Sequence, residues 1–433
     1  MKHAATWLGD ICIALLFTML AWWLRQMGYP LCPGDEAVWL QISRTLDAGQ
    51  TWPVSGPGFM LAVQTLGEQL GRPTSEAIGL WGIGSVFGAV LVMLRVYRQL
   101  EPLRPWVICT SLAMSTYFLA PLLESRPQQW GQVLVLLGSW LCWRWLHARG
   151  GWSFFVVLLL TAYLHILSHA VLLAVCIGLM LGDVLLGQVR TPARQQRHLA
   201  VWLALLLSFG VYLLPAGPYA RMLLDIHQHH LAKFSLFVPI ACSLVGMALL
   251  PFFYRRQAQH TLLNIKPRLQ GLAQRRGPGM LMLTAVVALA LAAQAALLPA
   301  EAWRPYGGSV ASFVLFQLGN LSIVFAFIAG LLVCLHPQSE QRFSPLAAQF
   351  LLLTLLSLTV VAGLSMLASL WLLHTNWLLR LMNYGLLFAA PVVAIGLQAM
   401  TQRWPRWLRA CLLAAGMALS LLAVLKPSPL FSC

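Results

Sequence analysis

Between Arg342 and Arg380 the chain runs for 37 residues, 343–379, without one Asp, Glu, Lys or Arg. About 20 apolar residues in a helix cross the hydrocarbon core of a bilayer, so a stretch this long can hold a whole span and its connection. Similar windows recur along the chain with basic clusters between them. Of the 433 residues 59% are hydrophobic and 9% charged, where soluble domains carry about a quarter charged residues. That balance excludes a soluble enzyme, a disordered tail and a secreted disulfide scaffold. The expected fold class is an all-α polytopic membrane protein forming a single domain over 1–433, because lipid cannot satisfy an open backbone.

The windows place about 13 transmembrane helices, at 7–24, 78–95, 106–123, 129–146, 152–168, 170–187, 199–214, 235–254, 280–298, 309–335, 346–373, 384–401 and 410–425. The fifth and sixth follow from charge. Residues 150–189 contain no Lys or Arg, while Arg144 and Arg149 precede them and Arg190, Arg194 and Arg197 follow. If both clusters share a side, the chain crosses twice between them and turns near His165–His169. Apart from that turn the spans read as clean.

Lys plus Arg number 28 and Asp plus Glu 12, a formal net charge of +16. With a cytoplasmic amino terminus, 19 basic residues fall on the cytoplasmic side and 9 on the far side, the bias that the positive-inside rule requires. The loop 255–279 alone carries six basic and no acidic residues. The positive charge is thus a topology signal and a contact for membrane lipids, with no bearing on nucleic acid. Thirteen spans then put the carboxyl terminus on the periplasmic side. Asp10 lies inside the first apolar run and no small-residue cleavage site follows Trp22-Trp23-Leu24-Arg25, so this segment reads as a retained first span. Most of the nine cysteines lie within spans and act as small apolar residues. Cys32 and Cys433 are expected outside, where a disulfide has no further support.

Residues 25–77 form the one long external connection, and it holds Asp35, Glu36, Asp47, Glu68 and Glu76. Loops of this length are usually functional. Within it, Trp39, Ile42 and Leu46 in 36–48, and Phe59, Val63, Leu66 and Leu70 in 59–70, recur at helical spacing. Both stretches suit helices lying in the membrane interface, separated by the turn Trp52-Pro53-Val54-Ser55-Gly56-Pro57-Gly58. Asp35 opens the first of them. As an N-cap its carboxylate accepts backbone N–H groups, with Glu36 favourable to the helix dipole. As a general base it would have to reach an acceptor hydroxyl within hydrogen-bond distance. The two roles are compatible.

On these residues the chain resembles the C-type (GT-C) superfamily of membrane glycosyltransferases, in the branch of the aminoarabinose transferases and protein O-mannosyltransferases. Gly34-Asp35-Glu36-Ala37-Val38-Trp39 resembles their Asp-Glu motif, and Gly49-Gln50-Thr51-Trp52-Pro53 their following turn. Ser75-Glu76-Ala77-Ile78, Glu124-Ser125-Arg126-Pro127 and Asn383-Tyr384-Gly385-Leu386-Leu387-Phe388-Ala389-Ala390-Pro391 sit in family order. The likeness covers 1–190, thins in the middle and returns at 380–400. Ser55-Gly56-Pro57-Gly58 replaces a frequent Lys-Pro-Pro, Gln128 an Asp, and His169 corresponds to a family Lys.

The resemblance implies a transferase with a polyprenyl-phosphate sugar as donor and a glycan, lipid or protein hydroxyl as acceptor at the outer, periplasmic face, and the chain's compactness and composition point to a bacterial inner membrane. Asp35 would be the inverting general base. Glu36, Arg126, His165, His169, Arg380 and Tyr384 would bind substrate, the cations stabilising the departing phosphate. An interfacial anchor or topology charge explains Arg126, His169, Arg380 and Tyr384 equally well. His165 and His169 are also explained by a capped turn. Asp225, His227, His229 and His230 share helix faces in the loop 215–234 and are candidates for a divalent metal ion, against the plainer reading of a solvated loop. A lipid-linked sugar transporter or flippase would show an internal repeat and charged or broken helices at midplane. A polysaccharide polymerase or ligase would carry its long outer loop later in the chain.

Overall fold

The computed structural model describes residues 2–26, 39, 41, 57–98, 107–108, 127–185, 188–189, 191–213, 285, 321–336, 345–372 and 376–425. Every extended element among them is helical. In chain order these are α1 (Lys2–Gln26), α2 (Pro57–Leu70), α3 (Thr74–Tyr97), α4 (Pro127–Leu146), α5 (Ser153–Leu164), α6 (Ile166–Leu185), α7 (Pro192–Ser208), α8 (Leu321–Leu335), α9 (Pro345–Leu372), α10 (Asn376–Met400) and α11 (Arg406–Leu425). A 3-10 turn, Phe209–Leu213, continues α7. Three helical stretches are long and apolar enough to cross a membrane: Thr6–Gln26, Glu76–Tyr97 and Ile166–Leu185. Apart from 107–108 and 285, the expected spans 106–123, 235–254 and 280–298 lie outside the described residues, as do the first part of 309–335, the loop 255–279 and most of the segment 36–48.

The chain divides into two compact units: Met1–Glu36 with Gly82–Ser125 and Pro267–Cys433, and Ala37–Trp81 with Arg126–Lys266. In the first, the carboxylate in α1 has found its partners. Asp10 is buried and pairs with Arg98 and, at 3.3 Å, with Arg95. Arg98 also donates to the Thr6 carbonyl at 2.7 Å, and Arg95 lies over the Trp7 ring. A carboxylate in an apolar run is tolerated when paired in this way. The start of α1 and the end of α3 therefore stand at one level, as a chain that crosses and returns requires. Leu8, Leu16 and Met19 are 64–66% exposed, an apolar surface suited to lipid.

Elsewhere in this unit α8 and α10 meet backbone to backbone. A Cβ on Gly396 would overlap the Ala326 carbonyl, and one on Gly330 would overlap the Val392 carbonyl. Small residues allow this approach, which replaces the hydrophobic effect as a source of attraction inside lipid. Ala326, Val393 and Leu397 are buried at the crossing, with Leu412, Leu413 and Met417 of α11 packed against them. On α9, Thr354, Ser357 and Thr359 donate to the carbonyls four residues back, satisfying hydroxyls that lipid could not. Because the obstacle at Gly396 is backbone, Gly396→Ala should cost about 3 kcal/mol, the upper end for overpacking. Thermal unfolding of the purified protein in detergent measures it. An unchanged midpoint would mean that α8 and α10 are too far apart for backbone contact at Gly396.

In the second unit α4, α5 and α6 pack together, with α2 laid against α5. A Cβ on Gly131 of α4 would overlap Ser168 of α6, and one on Gly138 would sit 3.0 Å from Leu172. The apolar stripe of α2 is a packing face for its first half. Phe59, Met60 and Val63 are buried with Trp39, Ala77 and Ile78, Leu66 is half-buried, and Leu70 is 51% exposed. Trp39, Phe59, Trp81 and Trp130 form a chain of ring contacts at 5.1, 6.2 and 5.3 Å, and Trp130 donates to the Trp81 carbonyl at 3.0 Å. Of the three tryptophans near the end of α4, Trp140 and Trp143 belong to the core.

Three of the boundaries that differ from expectation bear on the candidate residues. The break between the fifth and sixth helices falls at His165, so His169 lies inside α6. Arg194 and Arg197 belong to the first turns of α7, which starts at Pro192, because proline suits the first helical position. α10 begins at Asn376, eight residues before the expected 384.

Candidate functional site

The densest polar arrangement among the described residues lies where α4 and α6 end and α7 begins. Asp183, in the last turn of α6, is fully buried. It accepts two hydrogen bonds from Arg194, Nε to Oδ2 at 2.9 Å and Nη2 to Oδ1 at 2.6 Å, and a third from His198 Nε2 at 2.8 Å. Arg194 and His198 are one helical turn apart, so α7 presents both to one carboxylate. The Arg194 fork is held further by Gln188 Oε1, 3.0 Å from Nη2. Such a bidentate, charge-assisted pair is the geometry in which a buried ion pair compensates the loss of water. The expectation of clean spans needs correction here: Asp183 lies within 170–187, and its partners Arg194 and His198 sit at the start of the next helix.

His147, just past α4, completes the cluster and defines its own tautomer. Its Nδ1–H donates to the Trp143 carbonyl at 2.9 Å, so Nε2 carries the lone pair that accepts Arg194 Nη2–H at 2.6 Å. Burial, and then the Arg194 charge, hold His147 below the ordinary imidazole value, against the opposite pull of the Trp143 carbonyl and of Asp183. Its lowered pKa favours the neutral ring in the folded state. The stability this gives is complete above the unfolded value of about 6.5 and is lost as the pH falls from there toward the lower folded value. The detergent-purified protein should therefore lose thermal stability between pH 7 and pH 5 more steeply than His147→Gln. Equal slopes for the two proteins would remove His147 from the acid response.

The contact of His147 Nε2 with Gln188, at 3.2 Å, bears on the path of the chain. It brings residues 147 and 188 to one place, so α5 and α6 leave that end and come back to it. This is the hairpin expected between the two arginine clusters, and its far end is the break at His165. There His165 is extended and caps α6. Its Nδ1 accepts the Ser168 backbone N–H at 3.3 Å, with Ser168 Oγ at 2.7 Å, the bond that an N-cap side chain makes to the third helical residue. His169, fully within α6, donates from Nε2 to Ser208 Oγ at 2.8 Å, and Ser208 donates on to the Leu205 carbonyl at 2.6 Å. The Phe209 ring stands at its edge. The capped-turn reading thus accounts for His165, and His169 ties α6 to the end of α7.

The second half of the outer loop reaches this same turn. α2 starts so close to the end of α5 that a Cβ on Gly58 would lie 2.6 Å from the Tyr163 carbonyl. Tyr384 is fully buried in α10 beside Phe388, and Arg380 lies on the same helix. These two belong to the first unit and the histidines to the second. Asp35, Glu36 and Arg126, and the metal candidates Asp225, His227, His229 and His230, lie outside the described residues. Among the described residues no group of three or more His, Cys, Asp or Glu could hold a metal ion. The Asp183 cluster escaped the sequence reading because its members sit at 147, 183, 188, 194 and 198. Two signals did exist: one acid in an apolar span, and an Arg and a His four residues apart at the next helix start. Comparison with known proteins finds no matching family model, curated protein or solved structure.

Proposed function

We propose that the chain is an integral membrane glycosyltransferase of the bacterial inner membrane. It moves a sugar from a polyprenyl-phosphate donor to an acceptor hydroxyl at the periplasmic face. The observation that carries this reading is the position of Asp35-Glu36, directly after the first apolar helix and at the head of an amphipathic segment, in the family order described above. Two structural facts support it. The later part of that loop is the helix α2, and the start of α2 packs against Tyr163 beside the turn at His165.

In the proposed reaction the acceptor oxygen attacks the anomeric carbon while its proton passes to Asp35. The bond from that carbon to the phosphate oxygen breaks on the opposite side, which inverts the centre and releases the polyprenyl phosphate with an added negative charge. Arg126 and Arg380 are the cations offered to that charge. His169 is engaged with Ser208, so its part is to hold α6 in place, and Tyr384 packs within α10. The test is transfer from radiolabelled polyprenyl-phosphate sugars to extracted envelope material, in membranes holding equal amounts of wild type and Asp35→Asn. No transfer by wild type from any donor in the panel counts against the reading, as does equal transfer by both proteins.

A further inference from the structure

The turn that joins α4 to α5 has a fixed shape. Arg149 N–H bonds to the Arg144 carbonyl at 2.8 Å and Ala148 N–H to the Trp145 carbonyl at 3.0 Å, the paired bonds of a Schellman C-cap. That motif needs a left-handed residue, and Ala148 supplies it at φ +58°, the one non-glycine with positive φ among the described residues. Arg144 then closes over the turn, donating from Nε at 3.1 Å and Nη2 at 2.7 Å to the Arg149 carbonyl. Gly150 lies so near that a Cβ would be 2.8 Å from the Trp145 nitrogen. A left-handed alanine is a backbone cost that persists only where the surroundings hold it.

This turn carries an exposed cation three residues before Trp152, one ring of an aromatic ledge. Arg149 is exposed and Trp152 is 74% exposed. Trp152, Trp145 and Phe155 are mutually in contact, with ring centres 5.6, 5.1 and 5.1 Å apart. Among the described residues, the same end of this unit carries Arg144, Arg194 and Arg197, with Asp183 already occupied by Arg194 and His198. A helical hairpin in a bilayer puts its turn at the water boundary, where indole rings settle at headgroup depth and arginine is drawn to anionic lipid.

From this we infer that the corner formed by Arg149, Trp152, Trp145 and Phe155 is a docking site for an anionic phospholipid headgroup. The guanidinium would take the phosphate as a planar fork, and the indole ledge would receive the glycerol backbone and the first methylenes. The occupant is a membrane lipid, since a free phosphate would have no use for an exposed indole.

The test uses full-length protein in phosphatidylcholine nanodiscs doped with a phosphatidylglycerol that carries a diazirine near its headgroup. A phosphatidylcholine of the same design serves as the reference probe. After photolysis, adducts are mapped by mass spectrometry. Peptides covering 144–155 should be labelled several-fold more by the anionic probe than by the zwitterionic one. The double variant Arg149→Gln, Trp152→Ala should bring the two to the same level, while labelling of α1 stays unchanged and reports an intact fold. Equal labelling by both probes in wild type, or undiminished anionic labelling in the variant, overturns the proposal. So does displacement of the probe by millimolar glycerol phosphate, which would make this a site for soluble phosphate. Altered labelling of α1 in the double variant passes the decision to Arg149→Lys, which must retain part of the anionic preference that Arg149→Gln loses.

Discussion

Asp183→Ala should destabilise the protein by about 3–5 kcal/mol, the cost of removing one member of a buried ion pair. The reason lies in what remains. Arg194 would keep its charge, 18% exposed on its side chain, with Gln188 Oε1 and neutral His147 Nε2 as its polar contacts in the cluster. His198, fully buried, would lose the carboxylate 2.8 Å from its Nε2. Asp183→Asn should cost less, since the amide still offers one acceptor oxygen to the fork but no charge. Denaturant or thermal unfolding in detergent reads the series directly. A loss below about 1 kcal/mol would place the cluster among surface-type pairs and contradict its burial.

A double-mutant cycle separates the pair from its surroundings. With Asp183→Ala and Arg194→Met combined, the lone buried charge is gone, and apolar replacements of buried pairs are often close to neutral. The double variant should therefore be more stable than Asp183→Ala alone, a coupling of a size that contacting residues show, about 0.5–3 kcal/mol. Strict additivity would mean that Arg194 is held by Gln188 and His147 alone.

Much of the helical layout was legible because lipid imposes a simple rule: an apolar window bounded by charge becomes a helix. That rule located the helices in the regions that the structure describes, and the arginines on either side of 150–189 revealed the hairpin between them. What it could not reveal was pairing across the chain. Asp10 was visible as an acid out of place, but 85 residues separate it from Arg95, and neither position names the other. The apolar pattern puts the end of the fifth helix at 168, four residues beyond Leu164, for a related reason. An apolar pattern runs on through His165-Ile166-Leu167, and it is the histidine's bond to the Ser168 N–H that starts a new helix. The stripe in α2 pointed to lipid, yet Phe59 and Val63 pack against Trp39 and Ile78, because an amphipathic face does not specify whether protein or lipid covers it. Asp35, on which the proposed chemistry turns, carries only the signal of its motif and position.

Asp35→Asn should reduce sugar transfer by roughly two to four orders of magnitude, the range that a positioned general base contributes, with little change in the amount of folded protein. The two halves of that expectation together separate the cap from the base. Asparagine is as good an N-cap as aspartate, while alanine in its place costs about 1 kcal/mol. If Asp35 only starts a helix, Asn should transfer like wild type and Ala should be the damaged variant, through stability. If Asp35 takes the acceptor proton, Asn and Ala should be inactive alike, and Asn should melt with wild type. Because the acceptor proton is lost in the transition state, the damage should fall on kcat, with the KM for the lipid-linked donor unchanged. A rise in donor KM at constant kcat would instead make Asp35 part of the binding surface and leave the acceptor proton without its base.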